Sequence, residues 1–98
     1  MSFLTDLFGT LFGGSAYSSI NQPLSHEEVR RLISHTHLPS LSQDQVILVE
    51  DAVLSHRHEG RISLNKINEV LGKMVHSYQI SEIDRKAVMK VFKNYFSK

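Results

Sequence analysis

The chain has 98 residues, 41% hydrophobic and 21% charged, which is ordinary for a small soluble protein of one domain. It contains no cysteine, which excludes a disulfide scaffold and any metal site built from thiolates. The net charge is only +1, but residues 1–60 hold three basic and seven acidic residues, whereas residues 61–98 hold eight and three. This asymmetry is typical either of a surface for an acidic partner or of complementary packing between helices.

The first predicted element is a short amphipathic helix over residues 3–12. Its large apolar side chains fall within one half of a helical wheel, and they are Phe3, Leu4, Leu7, Phe8, Leu11 and Phe12. Residues 13–22 are rich in glycine and serine and read as a linker. The chain is therefore predicted to divide into an N-terminal segment over residues 1–22 and a helical domain over residues 23–98.

The N-terminal segment is expected to be helical only when it is docked. Burying six large apolar side chains contributes roughly 9–18 kcal/mol, and ordering ten residues costs about 15 kcal/mol. Its dock can be the protein's own bundle, another protein, a second copy of the chain, or a membrane surface. The segment lacks the lysine and arginine that membrane-surface helices and signal peptides use, and no apolar run approaches the roughly 20 residues of a membrane span. We expect a cytoplasmic protein.

Four serines share a helix-start signal, since an apolar residue precedes each one and a serine at the N-cap accepts a hydrogen bond from a backbone N–H. These are Ser25, Ser42, Ser63 and Ser81. Three residues further on, Glu28 and Gln45 complete capping boxes with the first two serines. Asp84 approximates a box with the fourth serine, and Lys66 leaves the third without one.

These signals and the apolar periodicity predict an all-α protein, a compact bundle of four short helices over about residues 26–36, 43–58, 64–78 and 82–96. The second of these helices is apolar around most of its circumference, which predicts a central position. Gly60 is the residue expected just past its end. In the last helix, Ile83, Val88 and Phe92 are among the residues expected to face the core.

The stretch "VEDAVLSHRHEGRISLNKINEVLGKM" over residues 49–74 resembles an EF-hand, with a glycine-centred loop between two apolar helices. With Gly60 as the turn glycine, Arg57 occupies a ligand position and Lys66 stands where a bidentate glutamate is required, so no calcium site is implied. The stretch "ISEIDRKAVMKVF" after a "G-x-I-S" loop is similar to helical domains of the tellurite-resistance type. Over about residues 46–96, these resemblances imply helix–loop–helix packing.

Two His-x-His pairs are the candidate metal ligands, His35 with His37 and His56 with His58. Neutral imidazoles bind zinc, nickel or copper, but side chains two apart on a helix point to opposite faces. A charged histidine near the C-terminus of a helix explains them more simply. We expect no metal and no cofactor. The chain also lacks the common nucleophile, zinc-binding and phosphate-loop motifs, so we expect it not to be an enzyme.

A basic stripe is predicted on the last helix, because Lys86, Lys90 and Lys93 are spaced by four and three residues opposite its apolar face. We therefore expect a non-enzymatic protein-interaction module of the adaptor or regulatory kind. Residues 3–12 would lie in an apolar groove of another protein or a second copy, and the stripe would steer an acidic partner. The alternative is nucleic-acid binding through the same stripe. No small-molecule substrate is indicated.

Overall fold

The structure is a computed structural model that describes residues 17–34 and 41–97. In chain order its elements are β1 (Gln22–Pro23), α1 (His26–Ser34), α2 (Gln43–Ser55), β2 (Arg61–Ile62), α3 (Leu64–His76) and α4 (Glu82–Phe96). This part of the chain is predominantly helical and compact, which confirms the predicted class except for the small sheet. The predicted helix over residues 3–12 lies outside the described residues.

The helices begin at the serines that the sequence indicates, because each hydroxyl accepts a bond from a backbone N–H of the first turn. At the start of α1, the Glu28 N–H donates to Ser25 Oγ at 3.1 Å and the Ser25 N–H donates to Glu28 Oε1 at 2.9 Å. Ser42 makes the same reciprocal box at the start of α2. Ser63 caps α3 by accepting from the backbone N–H of Lys66.

The first turn of α4 differs from the prediction that Ile83 faces the core. Ile83 is 73% exposed, whereas Asp84 is only 1% exposed. Asp84 completes the capping box, since its carboxylate accepts from the Ser81 N–H at 3.1 Å. Val88 and Phe92, four and eight residues after Asp84, continue the same buried face. Ile83 is turned by about 100° from that face and meets solvent.

The two short strands pair antiparallel, with Gln22 opposite Ile62. Strands of two residues show no alternating pattern, which is why sequence periodicity predicts only helices. Leu24, which follows β1, is hydrogen-bonded through both of its backbone groups to the connection between α2 and α3. Its N–H donates to the Gly60 carbonyl at 3.0 Å, and its carbonyl accepts from Arg57 Nη1 at 2.8 Å. The chain leading into α1 is thus fixed to the chain leaving α2.

Part of the predicted linker also lies on the bundle. Tyr17 is half-buried against the core, and the Ser18 carbonyl accepts a hydrogen bond from the Asn65 N–H at 2.9 Å. Residues 17–21 are therefore positioned beside the start of α3.

The connection between α2 and α3 contains a tight turn that shortens α2. The backbone groups of His58 and Arg61 bond to each other at 2.8 and 3.1 Å, and Glu59 and Gly60 between them have positive φ values of 54° and 75°. The helix therefore ends at Ser55, earlier than the predicted residue 58. Gly60 serves this turn instead of the helix end.

The end of α3 is set by Tyr78, whose φ of 62° lies in the left-handed region. The Gln79 N–H donates to the Met74 carbonyl at 2.8 Å and the Tyr78 N–H donates to the Val75 carbonyl at 3.0 Å. These two bonds make a Schellman motif, which satisfies carbonyls of the last turn and reverses the chain. The helix therefore stops at His76, and the predicted range to residue 78 is slightly too long.

The central helix is α3, and the prediction that α2 is central is wrong. Six residues of α3 are buried, whereas α2 buries only Val49 and Val53. In the same helix α2, the side chains of Ile47 and Leu48 are 45% and 42% exposed. Both α1 and α3 pack against α2 and α4, so α2 and α4 occupy opposite corners of the bundle.

Candidate functional site

The basic stripe consists of Lys86, Lys90 and Lys93, and all three side chains are exposed along α4. The opposite side of the helix carries Val88 and Phe92, which are fully buried and fix its rotation. With a rise of about 1.5 Å per residue, the three ammonium groups spread over roughly 10 Å of surface. Such a row of mobile cations can meet carboxylates or phosphates at several points.

Arg85 lies next to the stripe but is engaged within the fold. Its guanidinium donates hydrogen bonds to both carboxylate oxygens of Glu82 and to the side-chain oxygen of Asn68, which is buried in α3. The Arg85 hydrogen bonds and positive charge hold the pKa of Glu82 below its usual range, and the Glu82 carboxylate raises the pKa of Arg85. We therefore exclude Arg85 from the binding surface.

A second exposed face lies on α2, and sequence reasoning did not identify it. Asp44, Ile47, Leu48 and Asp51 follow at spacings of three, one and three residues, and all four are exposed. This arrangement places two aliphatic side chains between two carboxylates on one side of the helix. We call these four residues the acidic face.

An open groove of about 320 Å³ adjoins the acidic face. It is lined by Leu48 and Ala52 of α2, by Met74 of α3, and by polar residues including Ser55 and Gln79. The carbonyl of Gln79, one of the lining residues, accepts a hydrogen bond from Gln45 Nε2 at 2.9 Å. The groove extends the apolar part of the acidic face toward the central helix.

Two ion pairs join side chains within the helices of the described residues. Lys66 pairs with Glu69 at 3.3 Å and Arg85 pairs with Glu82, and each pair joins residues three apart in one helix. Neither the basic stripe nor the acidic face contributes to them. Both surfaces are therefore available to partners.

Of the two histidine pairs predicted as candidate metal ligands, His35 and His37 lie outside the described residues. His56 caps α2, and its Nδ1 lies 2.8 Å from the Ala52 carbonyl oxygen and 3.3 Å from Ser55 Oγ, so it is engaged within its own helix. His58 is exposed in the turn before β2. Among residues 17–34 and 41–97, no three histidines or carboxylates come together as a metal site would require.

The apolar residues predicted to bind a partner, which are Phe3, Leu4, Leu7, Phe8, Leu11 and Phe12, lie outside the described residues. Within the described ranges, none of the helices is both long and apolar enough to span a bilayer. No family model, curated protein or solved structure matches the chain. The likeness to EF-hand and tellurite-resistance-type domains thus stays a resemblance of residues 46–96.

Proposed function

We propose that this protein is a small non-enzymatic protein-interaction module of the adaptor or regulatory kind. It engages its partner through the apolar side chains of residues 3–12 and through the basic stripe of α4. The apolar segment supplies most of the contact area, and the stripe steers the encounter and sets its orientation.

The observation that carries this proposal is the state of the three lysines. They are exposed side by side on a helix whose rotation is fixed by Phe92, and none of them takes part in the two ion pairs within helices of the described residues. An acidic partner surface is the complement of such a row.

Quantitative affinity capture from cell extract, with and without chemical cross-linking, tests the proposal. The full chain is compared with two variants, Phe8→Ser/Leu11→Ser in the N-terminal segment and Lys86→Gln/Lys90→Gln/Lys93→Gln in the stripe. Lys73→Gln is the matched control, since Lys73 is an exposed lysine of α3 outside the stripe. We expect one set of proteins retained by wild type and control and lost from both variants. Identical capture by all four proteins contradicts the proposal.

The alternative is nucleic-acid binding, and the same exposed row of lysines favours it because phosphates recur along a strand. The two functions differ in their response to salt. Apolar docking persists at about 0.5 M salt, whereas binding through three phosphate contacts is largely lost there. The test is an electrophoretic shift of a labelled duplex or single strand at low salt. A shift that the triple glutamine variant abolishes would favour nucleic-acid binding over protein interaction.

A further inference from the structure

The acidic face of α2 is unusual because two aliphatic side chains meet solvent beside a well-packed core. Ile47 and Leu48 are 45% and 42% exposed, although the helix has smaller apolar residues, such as Ala52, on its half-buried side. Asp44 lies three residues before Ile47 and Asp51 lies three residues after Leu48, so both are on the same side of the helix as this pair. An apolar centre with charged edges is the usual composition of an interaction surface.

The exposed side of α4 has the complementary composition. Ile83, Lys86, Lys90 and Lys93 follow at spacings of three, four and three residues, so they lie along one side of the helix. We call these four residues the basic face. Lys86 and Lys93 are separated by seven residues, as are Asp44 and Asp51 on the acidic face. Both charged pairs therefore span about 10 Å along their helices.

We infer that the acidic face of one copy binds the basic face of a second copy. In an antiparallel arrangement, Asp44 meets Lys93 and Asp51 meets Lys86. The aliphatic stem of Lys90 then covers Ile47 and Leu48, since long basic side chains bury their methylene groups while the ammonium stays in water. This inference rests on the proposed role of the stripe as a binding surface, and it adds a second copy of the chain to the acidic surfaces that the stripe binds.

Two observations select a second copy over other occupants of the acidic face. Residues 1–29 contain no lysine or arginine, so the N-terminal segment offers no basic side chain to Asp44 and Asp51. The two faces belong to helices at opposite corners of the bundle, so they cannot meet within one molecule. A nucleic acid or an anionic membrane is repelled by the carboxylates.

The difference between the two surfaces determines the type of contact. The two surfaces differ, so the contact is heterologous, and each added copy leaves one free face at either end. The charged contacts are exposed, and each copy contributes only one side of one helix, so we expect an association that is weak and depends on salt. We expect open chains of copies at high protein concentration.

Sedimentation velocity on the full-length protein tests this inference. At low ionic strength we expect the weight-average mass to at least double between about 20 μM and about 1 mM protein, and to return to that of the monomer in about 0.5 M salt. Asp44→Asn/Asp51→Asn and Lys86→Gln/Lys90→Gln/Lys93→Gln should each be monomeric alone. An equal mixture of the two variants should stop at a one-to-one dimer, because it contains only one matching pair of intact faces.

Glu27→Gln and Lys73→Gln remove exposed charges outside both faces, and we expect wild-type association from each. A wild-type protein that stays monomeric at the highest concentration overturns the inference, as does a closed dimer or growth that either multiple variant retains. These outcomes leave the proposed function intact if the stripe variant still loses its captured proteins. Loss of the proposed function alone would appear as normal self-association with unchanged capture.

Discussion

The Tyr95 hydroxyl donates a hydrogen bond to Glu28 Oε2, which joins the last helix of the bundle to the first turn of α1. The same carboxylate accepts the Ser25 N–H through its other oxygen, so it serves both as a cap and as a link between helices. These bonds hold the pKa of Glu28 below its ordinary 4.5, with the Ser25 N–H as the larger cause and the Tyr95 hydroxyl as the next.

Acid should therefore weaken the fold in a window that Glu28 helps to set. The Glu28 carboxylate binds a proton less readily in the folded chain than in the unfolded chain. Its contribution to the stability of the fold is therefore complete above pH 4.5 and is lost as the pH falls through the lower pKa of the folded state. We expect the urea midpoint to decline below pH 4.5, and to decline less steeply in Tyr95→Phe. Tyr78→Phe alters an exposed tyrosine and should follow wild type. An equal acid slope in all three proteins would contradict the role of the Tyr95–Glu28 bond.

The two faces of α4 should differ sharply in their sensitivity to truncation. Phe92 is fully buried, so Phe92→Ala should lower the free energy of unfolding by about 3–5 kcal/mol through lost contacts and a cavity. Ile83→Ala lies on the exposed side and should change it by less than about 0.5 kcal/mol. Urea unfolding followed by circular dichroism measures both values. A large loss from Ile83→Ala would show that the helix is rotated from the orientation described.

Relief of backbone strain at Tyr78 should stabilise the protein. Its φ of 62° costs an ordinary residue about 1–2 kcal/mol, and glycine adopts it freely. The side chain is 95% exposed and has little packing to lose. We expect Tyr78→Gly to raise the free energy of unfolding by about 0.5–1 kcal/mol after the entropy cost of glycine. Tyr78→Ala keeps the strained backbone and should lie within about 0.5 kcal/mol of wild type.

Removal of the N-terminal segment separates docking on the protein's own core from docking elsewhere. A chain lacking residues 1–16 keeps Tyr17 and β1, whereas a chain lacking residues 1–22 loses the Gln22–Ile62 pairing. If the segment is reserved for a partner, the first truncation should melt with the full chain at every protein concentration, and the second should melt lower. A lower midpoint already in the first truncation would place residues 1–16 on the core and contradict their proposed role.

Local signals in the sequence predicted the starts of the helices well. A box such as that between Ser25 and Glu28 depends on residues three apart, so it can be recognised without knowledge of the fold. The exposed stripe on α4 was predicted for a similar reason, since one apolar face defines the opposite one. The small sheet was missed because its strands are brought together by residues about forty positions apart.

The acidic face was missed for a different physical reason. A helix that is apolar around most of its circumference has no preferred buried side, so the packing of the neighbouring helices determines which of its residues are exposed. In α2 this packing buries Val49 and Val53 and leaves Ile47 and Leu48 exposed to solvent. The burial of Asp84 in place of Ile83 is likewise a consequence of the capping bond, which overrides the apolar preference of the first turn.

The double anchorage of Leu24 has a consequence for how the protein opens. Its amide is bonded to Gly60 and its carbonyl to Arg57, while its side chain is fully buried. Exchange of this amide hydrogen with solvent therefore requires separation of the entry to α1 from the connection between α2 and α3. Although Leu24 precedes the first helix, we expect its amide to exchange as slowly as those of the core helices, because its hydrogen bonds link the two regions and favour their unfolding together.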